Sequence, residues 1–356
     1  MPLTILSIGY PLARVAEDTA GGAEQILAIL DAEIVAAGHR SLVIAPQGSE
    51  CRGTLLPVSV PATQFDEQVH RLAVDRYRAA IRAAIAQHSV DVIHMHGIDF
   101  LDYLPEAGIP VVVTLHLPPS WYPPEVFTLA RPDTHLVCVS ESQANACPPG
   151  AQVRVVRNGV RLHQYRATPK ENYVAAMGRI CPEKGYHLAF DAATDAGVPL
   201  ILAGQVFAYP AHQEYFETEI RPRLTGAHRF VGPLRAQARQ DLLSRARCLL
   251  VPSLVAETSC LVAMEALACG TPVVAFRRGA LSEVVDHGRT GFLVDTVGEM
   301  SEAIHAAARM SSTACRERAE KSFSSPVMAE RYLAFYRELA GRGSRHKVRN
   351  FEQVAS

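Results

Sequence analysis

Two successive series of short apolar runs, each alternating with helical patterns, constrain the fold of this chain more than any other feature. The first series runs from residues 4–8 to 153–156, and the second from 173–177 to 291–294. Runs of this length predict strands buried on both faces, and the helices between them predict parallel connections. The sequence therefore predicts an α/β chain with two doubly wound sheets, in which ligands bind beyond the carboxyl ends of the strands.

A polar segment that contains Pro169 separates the two series, and the chain length of 356 residues fits two domains of ordinary size. We expect an N-terminal domain, a C-terminal domain, a terminal helix and a basic tail, over residues 1–165, 166–325, 326–341 and 342–356. The tail is either a disordered end or a segment with weak attraction for an anionic membrane.

Charge and cysteine content disfavour several classes of protein. A formal net charge of -1 gives no global field that would recruit nucleic acid. The eight cysteines show no Cys-x-x-Cys pairing, which makes a disulfide framework and a zinc site weak predictions. The N-terminal residues lack the pattern of a secretion signal, and no apolar window is long enough to span a membrane. We therefore expect a cytoplasmic protein.

The stretch from Pro252 to Ala275 carries the strongest functional signal. It predicts strand, loop, helix and strand, with Thr258 or Ser259 capping the helix, Glu257 in the loop and Glu265 within the helix. Three first-turn amides would be free to bind a phosphate, those of Cys260, Leu261 and Val262. A phosphate ester whose sugar hydroxyls are held by two carboxylates is a nucleotide-sugar. The alternative is a buried helix whose glutamate is merely solvated at its edge.

A second segment, Met177-Gly-Arg-Ile-Cys-Pro-Glu-Lys-Gly185, follows the first predicted strand of the C-terminal domain and contributes Arg179 and Lys184. Both segments resemble the retaining nucleotide-sugar glycosyltransferases of the GT-B fold, specifically glycosyltransferase family 4. The likeness continues residue after residue to Asp295. It implies two Rossmann-like domains facing a central cleft, with the last helix crossing back to the first domain. It also implies that Arg179 and Lys184 grip the donor diphosphate and stabilise its growing negative charge.

The resemblance gives meaning to weaker signals. Gly21 and Gly22 precede the first predicted helix and match a glycine loop that faces the donor phosphate, although a bare turn explains them equally well. His116 ends the strand 110–115 and matches a histidine near the reacting carbon. Pro233 and Leu234 lie where relatives hold the nucleotide base.

Candidate acceptor contacts lie in the N-terminal domain. Trp121 and Tyr122 stand on a proline-rich loop and could stack on a sugar, with a mobile lid or ordinary packing as the alternatives. His96 is a further candidate, and its neighbour His94 ends the same strand, where packing is the more common role. Arginines on one side of the helix 66–87 predict either a solvated face or a dock for a lipid-linked acceptor at a membrane surface.

The activity that the resemblance implies is transfer of a hexose-type sugar from a nucleoside diphosphate to a hydroxyl of a glycan, a lipid-linked molecule or a small molecule, with retention. Glu257 would hold the donor sugar and Glu265 the ribose. The chain offers no obvious carboxylate nucleophile, which favours a front-face route. It contains no Asp-x-Asp, which favours catalysis without a metal or other cofactor.

Other classes of protein remain open because fold does not fix function. A nucleotide-sugar epimerase or a disaccharide phosphorylase could share the scaffold, and so could a non-catalytic sensor of nucleotide-sugars. A sensor would be expected to lose Arg179 or Lys184, and both are present.

Overall fold

The computed structural model describes residues 2–19, 21–60 and 67–354, with side chains described as far as Gly341. Tertiary contacts divide the chain into two compact units. The first unit consists of the described residues up to Val139, of Gln143–Arg157 and of the helix that starts at Ser325. The second consists of Ser140–Ser142 and Asn158–Ser324, so residues 158–165, which we expected in the N-terminal domain, belong to it.

Seven strands form the described sheet of the first unit, and every pairing between them is parallel. They are β1 (Thr4–Ile8), β2 (Arg40–Pro46), β3 (Thr54–Val58), β4 (Val92–Met95), β5 (Val111–Leu115), β6 (Thr134–Cys138) and β7 (Val153–Val155). Their order is β3-β2-β1-β4-β5-β6-β7. The direction of strand addition reverses between β1 and β4, and ligands of doubly wound sheets bind at such a switch point.

The described sheet of the second unit has six parallel strands in the order β10-β9-β8-β11-β12-β13. They are β8 (Val174–Met177), β9 (Leu200–Ala203), β10 (Arg229–Phe230), β11 (Leu249–Val251), β12 (Val273–Phe276) and β13 (Gly291–Val294). Strand β8, in the interior of this sheet, shows why the apolar runs of the sequence are continuous. Val174 and Ala176 pack into one hydrophobic cluster and Ala175 into another, so both faces of the sheet are covered.

Helices alternate with these strands, as the sequence predicts. The described α-helices are α1 (Gly22–Ala36), α2 (Glu67–Gln87), α3 (Glu141–Asn145), α4 (Tyr186–Asp195), α5 (Pro210–Tyr215), α6 (Ala236–Arg245), α7 (Leu261–Ala268), α8 (Leu281–Val284), α9 (Val297–Ala307), α10 (Ser312–Ser322) and α11 (Ser325–Val354).

The C-terminal helix α11 belongs to the first unit, which confirms the crossover that the family resemblance implies. It contacts α1, and its Tyr332 hydroxyl hydrogen-bonds to Thr114 Oγ1 of β5 at 2.8 Å. Arg154 of β7 pairs with Glu338 at 2.9 Å and lies over the ring of Phe335. The backbone of α11 continues helically to Val354, but the basic side chains of the tail lie outside the described residues.

The arginine side of α2 is exposed, as both alternatives for this helix predict. Arg71 is exposed and lies 3.5 Å from Glu67, while exposed Arg78 donates from Nε to the Asp102 carbonyl oxygen at 2.6 Å. The buried side of the same helix contributes Tyr77 and Ile81 to the core. Within the parts of the chain that the structure covers, no helix combines the length and the hydropathy needed to cross a bilayer.

Candidate functional site

A largely buried ion pair joins the two motifs of the second unit. Lys184 Nζ lies 2.5 Å from Glu257 Oε1, and the two side chains are only 23% and 10% exposed. The Ser253 hydroxyl donates a further hydrogen bond to the same carboxylate oxygen. The lysine follows β8 and the glutamate follows β11, which are neighbours in the sheet. The carboxyl ends of adjacent parallel strands thus bring together residues that are distant in sequence.

Local backbone geometry holds this pair in place. Pro182–Lys184 forms one 3₁₀ turn, and Gly185 ends it with a φ of 62°. A Cβ atom at position 185 would stand 2.4 Å from the Pro252 carbonyl oxygen, so only glycine fits there. The amide of Leu254 also donates to the Glu183 carbonyl oxygen at 2.8 Å. The lysine turn and the glutamate loop are therefore packed backbone against backbone.

Both members of the pair are held in their charged forms. Burial alone would lower the pKa of Lys184, but the charge and hydrogen bond of Glu257, with a contribution from Cys260, together outweigh burial and the pKa ends above its ordinary value. Burial alone would raise the pKa of Glu257, and the charge and hydrogen bond of Lys184, with help from Ser253 and Arg179, bring it below its ordinary value. Removal of either partner would be strongly destabilising, because it would leave the other charge desolvated and unpaired.

Arg179 is the exposed cation of this group. Its charge acts on both Lys184 and Glu257, so the three side chains lie within electrostatic reach of one another. Its guanidinium has no hydrogen bond or ion pair to any residue that the structure describes. Arg179, Lys184 and Glu257 therefore lie together in the structure. Lys184 is paired with Glu257, and Arg179 is exposed to solvent.

The helix α7 begins one residue later than we expected and without a side-chain cap. Cys260 is its N-cap, in the left-handed region at φ 63° and ψ 69°, the single non-glycine residue with positive φ in the described part of the chain. Neither Thr258 nor Ser259 caps the helix, so that prediction was wrong. The Ser259 hydroxyl instead accepts a hydrogen bond from Asn158 Nδ2 at 2.9 Å. Uncapped first-turn amides remain available to an anion.

The second glutamate, Glu265, is buried within α7 and pairs with Arg239 of α6. Tyr165 lies within electrostatic reach of both of these side chains. The charge of Glu265 raises the pKa of Arg239 against the opposing effect of burial. Sequence reasoning missed Arg239 and Tyr165. The available signal was a basic residue in the first turn of the helix that follows Gly232-Pro-Leu234.

The Cys260 thiol lies within electrostatic reach of both glutamates, Glu257 and Glu265. Burial raises the pKa of its thiol to about 12, and the charges of Glu257 and Glu265 both add to that effect. Three partly buried side chains, those of Leu261, Val262 and Leu234, pack against the hydrophobic cluster that contains Ala175. Pro233 is exposed. Of the predicted donor-binding residues of the second unit, Lys184, Glu257 and Cys260 therefore lie within electrostatic reach of one another.

In the first unit, His116 lies just beyond β5 and hydrogen-bonds through Nε2 to His96 Nδ1 at 3.0 Å. His96 is buried, and its Nε2 has no hydrogen-bond partner among the described residues. His94 is buried further in, where its nitrogens bond to Thr114 Oγ1 at 2.7 Å and to the Tyr336 hydroxyl at 2.6 Å. Hydrogen bonds and ring stacking thus link His116 to the C-terminal helix.

The neutral histidines predict a loss of stability in mild acid. Burial lowers the pKa of His94 to about 3 and that of His116 to about 4. The unfolded chain binds these protons near pH 6.5, so the free energy of unfolding should fall as the pH drops below that value, by about 1.4 kcal/mol per pH unit for each excluded proton. Urea denaturation between pH 7.5 and 4.5 measures the slope.

Two variants are compared for that slope. His94→Gln removes a buried histidine, and the control His305→Gln removes an exposed histidine of α9. The His94 variant should show a shallower dependence on pH than the unmodified chain, and the His305 variant the same dependence. Equal slopes for all three proteins would contradict the assignment of excluded protons to the buried histidines.

Two loop predictions of the first unit have different outcomes. Trp121 is 51% exposed and remains available for a ligand. Tyr122 is buried, and its hydroxyl accepts hydrogen bonds from the amides of His116 and Leu117 at 3.0 and 3.3 Å. It holds the chain after β5 and cannot stack on an acceptor, so we withdraw it from the acceptor set.

The glycine pair lies at the start of α1, as expected. Gly21 is the N-cap, in extended conformation, and Gly22 is the first helical residue and is exposed. A Cβ atom at position 21 would meet the Glu24 carboxylate at 1.9 Å. Burial raises the pKa of that glutamate. A larger residue at position 21 would therefore require the Glu24 side chain to turn away.

Two doubly wound parallel sheets, with the last helix returned to the first unit, define the GT-B class of glycosyltransferases. The crystal structure of AviGT4, described as a glycosyltransferase involved in avilamycin A biosynthesis, superposes with a TM-score of 0.73 at 25% identity, covering 96% of this chain and 98% of that one. Anabaena Alr3699/HepE, crystallised in complex with UDP-glucose, gives a TM-score of 0.72 at 19% identity over 94% of this chain and 100% of that one. The latter likeness shows the fold alone.

Family models identify the chain more closely. The model for glycosyl transferases group 1 matches residues 162–321, and the model for glycosyltransferase family 4 matches residues 20–164. The chain belongs to the family 4-like glycosyltransferases. D-inositol 3-phosphate glycosyltransferase of Mycobacterium bovis (strain BCG / Pasteur 1173P2) is 33% identical over 235 residues, 58% of this chain and 48% of that protein. The chain spans about half the length of the curated relatives it matches.

Proposed function

We propose that this chain is a retaining hexosyltransferase that moves a sugar from a nucleoside diphosphate to a hydroxyl acceptor without a metal or other cofactor. The observation that carries the proposal is the convergence of Arg179, Lys184 and Glu257 beside the uncapped start of α7. Two cations and first-turn amides suit a diphosphate, and a carboxylate among them suits the hydroxyls of the attached sugar.

The leaving diphosphate is held by charge in this proposal. As the bond between the anomeric carbon and the phosphate oxygen breaks, its electron pair passes to that oxygen. Lys184 is kept protonated by Glu257 and Arg179 is free to turn toward the ligand, so both can balance the added charge. Fixed cations and amides that need no rearrangement supply the largest share of such stabilisation.

The two glutamates divide the donor between them. Glu257 accepts hydrogen bonds from the sugar hydroxyls, while Glu265 takes the ribose hydroxyls and is oriented by Arg239. Leu234, which follows β10, packs against the same hydrophobic cluster as α7 and would contact the base. A structural neighbour, Anabaena HepE, was crystallised with UDP-glucose, which supports a nucleotide-sugar as the donor class.

Transfer takes place on one face of the sugar. The acceptor oxygen bonds to the anomeric carbon on the side from which the phosphate leaves, and the acceptor proton goes to the departing phosphate oxygen. His116 is held as a neutral imidazole, since burial lowers its pKa to about 4, so it donates or accepts a hydrogen bond and need not titrate. Trp121 provides an exposed ring for the acceptor.

A panel of labelled uridine, guanosine and adenosine diphosphate-sugars tests this function. Release of free nucleoside diphosphate and formation of an α-linked product from an α-linked donor are expected in the presence of a chelator. A changed sugar that stays attached to the nucleotide would point to an epimerase. Binding without turnover would point to a sensor, and either result would overturn the proposal.

Replacement of Arg239 tests the part assigned to the nucleoside. We expect Arg239→Lys to raise the donor KM roughly tenfold while kcat changes little, because the ribose is held equally in the ground and transition states. Lysine keeps a charge for buried Glu265 but loses the paired geometry of the guanidinium. Initial rates at varied donor concentration measure both constants.

The control for this variant is Arg245→Lys, on the same helix, whose side chain is half exposed and pairs with Glu171 at the surface. It should leave both constants unchanged. An unaltered donor KM in a folded Arg239 variant would remove the Glu265–Arg239 pair from donor binding.

A further inference from the structure

Three side chains with metal-binding atoms meet beside the turn that carries Lys184. A ligand atom of Cys181, a carboxylate oxygen of Glu183 and an imidazole nitrogen of His212 all lie within 4.8 Å of one another. Cys181 precedes the 3₁₀ turn, Glu183 is its middle residue, and His212 comes from α5. The sequence gives no spacing signal for this cluster, because α4 and β9 intervene between the cysteine and the histidine.

The donor set selects the class of metal. A thiolate, an imidazole and one carboxylate are ligands of zinc, whereas calcium and magnesium take oxygen ligands only. Bond lengths of about 2.0–2.3 Å put the ligand atoms of a tetrahedral zinc site roughly 3.3–3.8 Å apart. Small side-chain rotations would bring the cluster to that spacing.

The cluster is already largely organised. Cys181 is buried, and its thiol donates to the Arg179 carbonyl oxygen at 3.6 Å and lies within 4.8 Å of a Glu183 carboxylate oxygen. The His212 ring packs edge-on against Tyr209, with centroids 5.1 Å apart. Its Nδ1 atom is buried and has no hydrogen-bond partner among the described residues. A buried polar atom without a partner is rare, and coordination through this nitrogen would satisfy it.

We propose that Cys181, Glu183 and His212 bind one Zn²⁺, with the fourth coordination position open to water. On binding, the Cys181 thiol becomes a thiolate and its proton goes to solvent. Arg179 acts on both Cys181 and Glu183, and its positive charge opposes the ion. With three protein ligands and a nearby cation, the affinity should be roughly micromolar, below that of closed structural sites. The metal ties the lysine turn to α5.

Cobalt substitution and thermal melting test the site independently of any transferase activity. The full-length chain, freed of metal, is titrated with Co²⁺ and then Zn²⁺. We expect one equivalent of Co²⁺ to give a thiolate charge-transfer band that Zn²⁺ removes, and Zn²⁺ to raise Tm by mass action. Cys181→Ser should lose the band, and His212→Ala, which removes a ligand, should weaken Zn²⁺ binding by at least the roughly 10-fold to 100-fold that loss of a ligand's hydrogen-bond partner costs.

Two control variants separate this site from other cysteines and histidines. Cys51→Ser removes a partly buried thiol of the first unit, and His70→Ala removes a histidine from a cluster with Asp99 and Asp102. Both should bind Zn²⁺ as the unmodified chain does. Absence of a thiolate band in the unmodified chain, or retention of that band by Cys181→Ser, would overturn the proposal without bearing on sugar transfer.

Discussion

Replacement of Lys184 by alanine should lower kcat by about a thousandfold, the largest single effect that we expect in this chain. The ammonium is fixed 2.5 Å from Glu257 Oε1 and stays protonated, so it can meet the charge that appears on the leaving diphosphate. Removal of one preorganised charge-stabilising group typically costs about 10²–10³ in kcat. Single-turnover rates with saturating donor measure the chemical step.

The alanine variant also leaves Glu257 buried without a counter-charge, which costs roughly 3–5 kcal/mol for a fully buried pair. Its folding must therefore be checked by urea denaturation, and Lys184→Arg supplies a variant that keeps the charge. Lys321→Ala, at an exposed position of α10 in the same unit, is the matched control and should be silent. Near-normal turnover by a folded Lys184→Ala protein would remove this lysine from the mechanism.

Substitution of Glu257 by glutamine should lower kcat/KM by about a hundredfold and weaken discrimination between donor sugars. The amide keeps one acceptor oxygen, but it loses the charge that orients Lys184 and the strong hydrogen bonds to sugar hydroxyls. The ratio of kcat/KM for two epimeric donor sugars is the diagnostic measurement. A site that relied on sugar hydroxyl contacts made elsewhere would keep its ratio.

Glu302→Gln is the control for this second substitution, since Glu302 is exposed on α9 and makes no ion pair among the described residues. It should reproduce the unmodified kcat/KM and the unmodified sugar preference. If Glu257→Gln behaved like Glu302→Gln, the carboxylate would serve only to hold Lys184, and its role in donor recognition would be lost.

The sequence was informative where local pattern and topology agree. Apolar runs bounded by turns predicted the strands around Val174 and Leu249, and parallel topology then required the residues after neighbouring strands to meet. The sequence thus predicted that Lys184 and Glu257 would serve the same ligand, but their direct ion pair was seen only in the structure. The alternation does not identify side-chain partners across the fold. The position of Arg239 in the first turn of α6 was a signal, but its pairing with Glu265 on another helix, and the place of Tyr165 beside them, could not be predicted from it.

Tertiary contacts also overrode two local preferences. Serine is a favoured cap residue, but the Ser259 hydroxyl accepts a hydrogen bond from Asn158. The chain enters α7 through a strained conformation at Cys260. A sequence pattern ranks caps by type and cannot see a partner 101 positions away. Tyr122 likewise resembles an exposed loop aromatic, while its hydroxyl is fixed by the amides that follow β5.

The decisive measurement is a crystal structure with a bound nucleoside diphosphate-sugar. We expect phosphate oxygens within hydrogen-bond distance of Lys184 Nζ, the Arg179 guanidinium and the first amides of α7, with the sugar hydroxyls on Glu257 and the ribose on Glu265. A diphosphate bound away from the start of α7, with the Lys184–Glu257 pair untouched, would contradict this expectation.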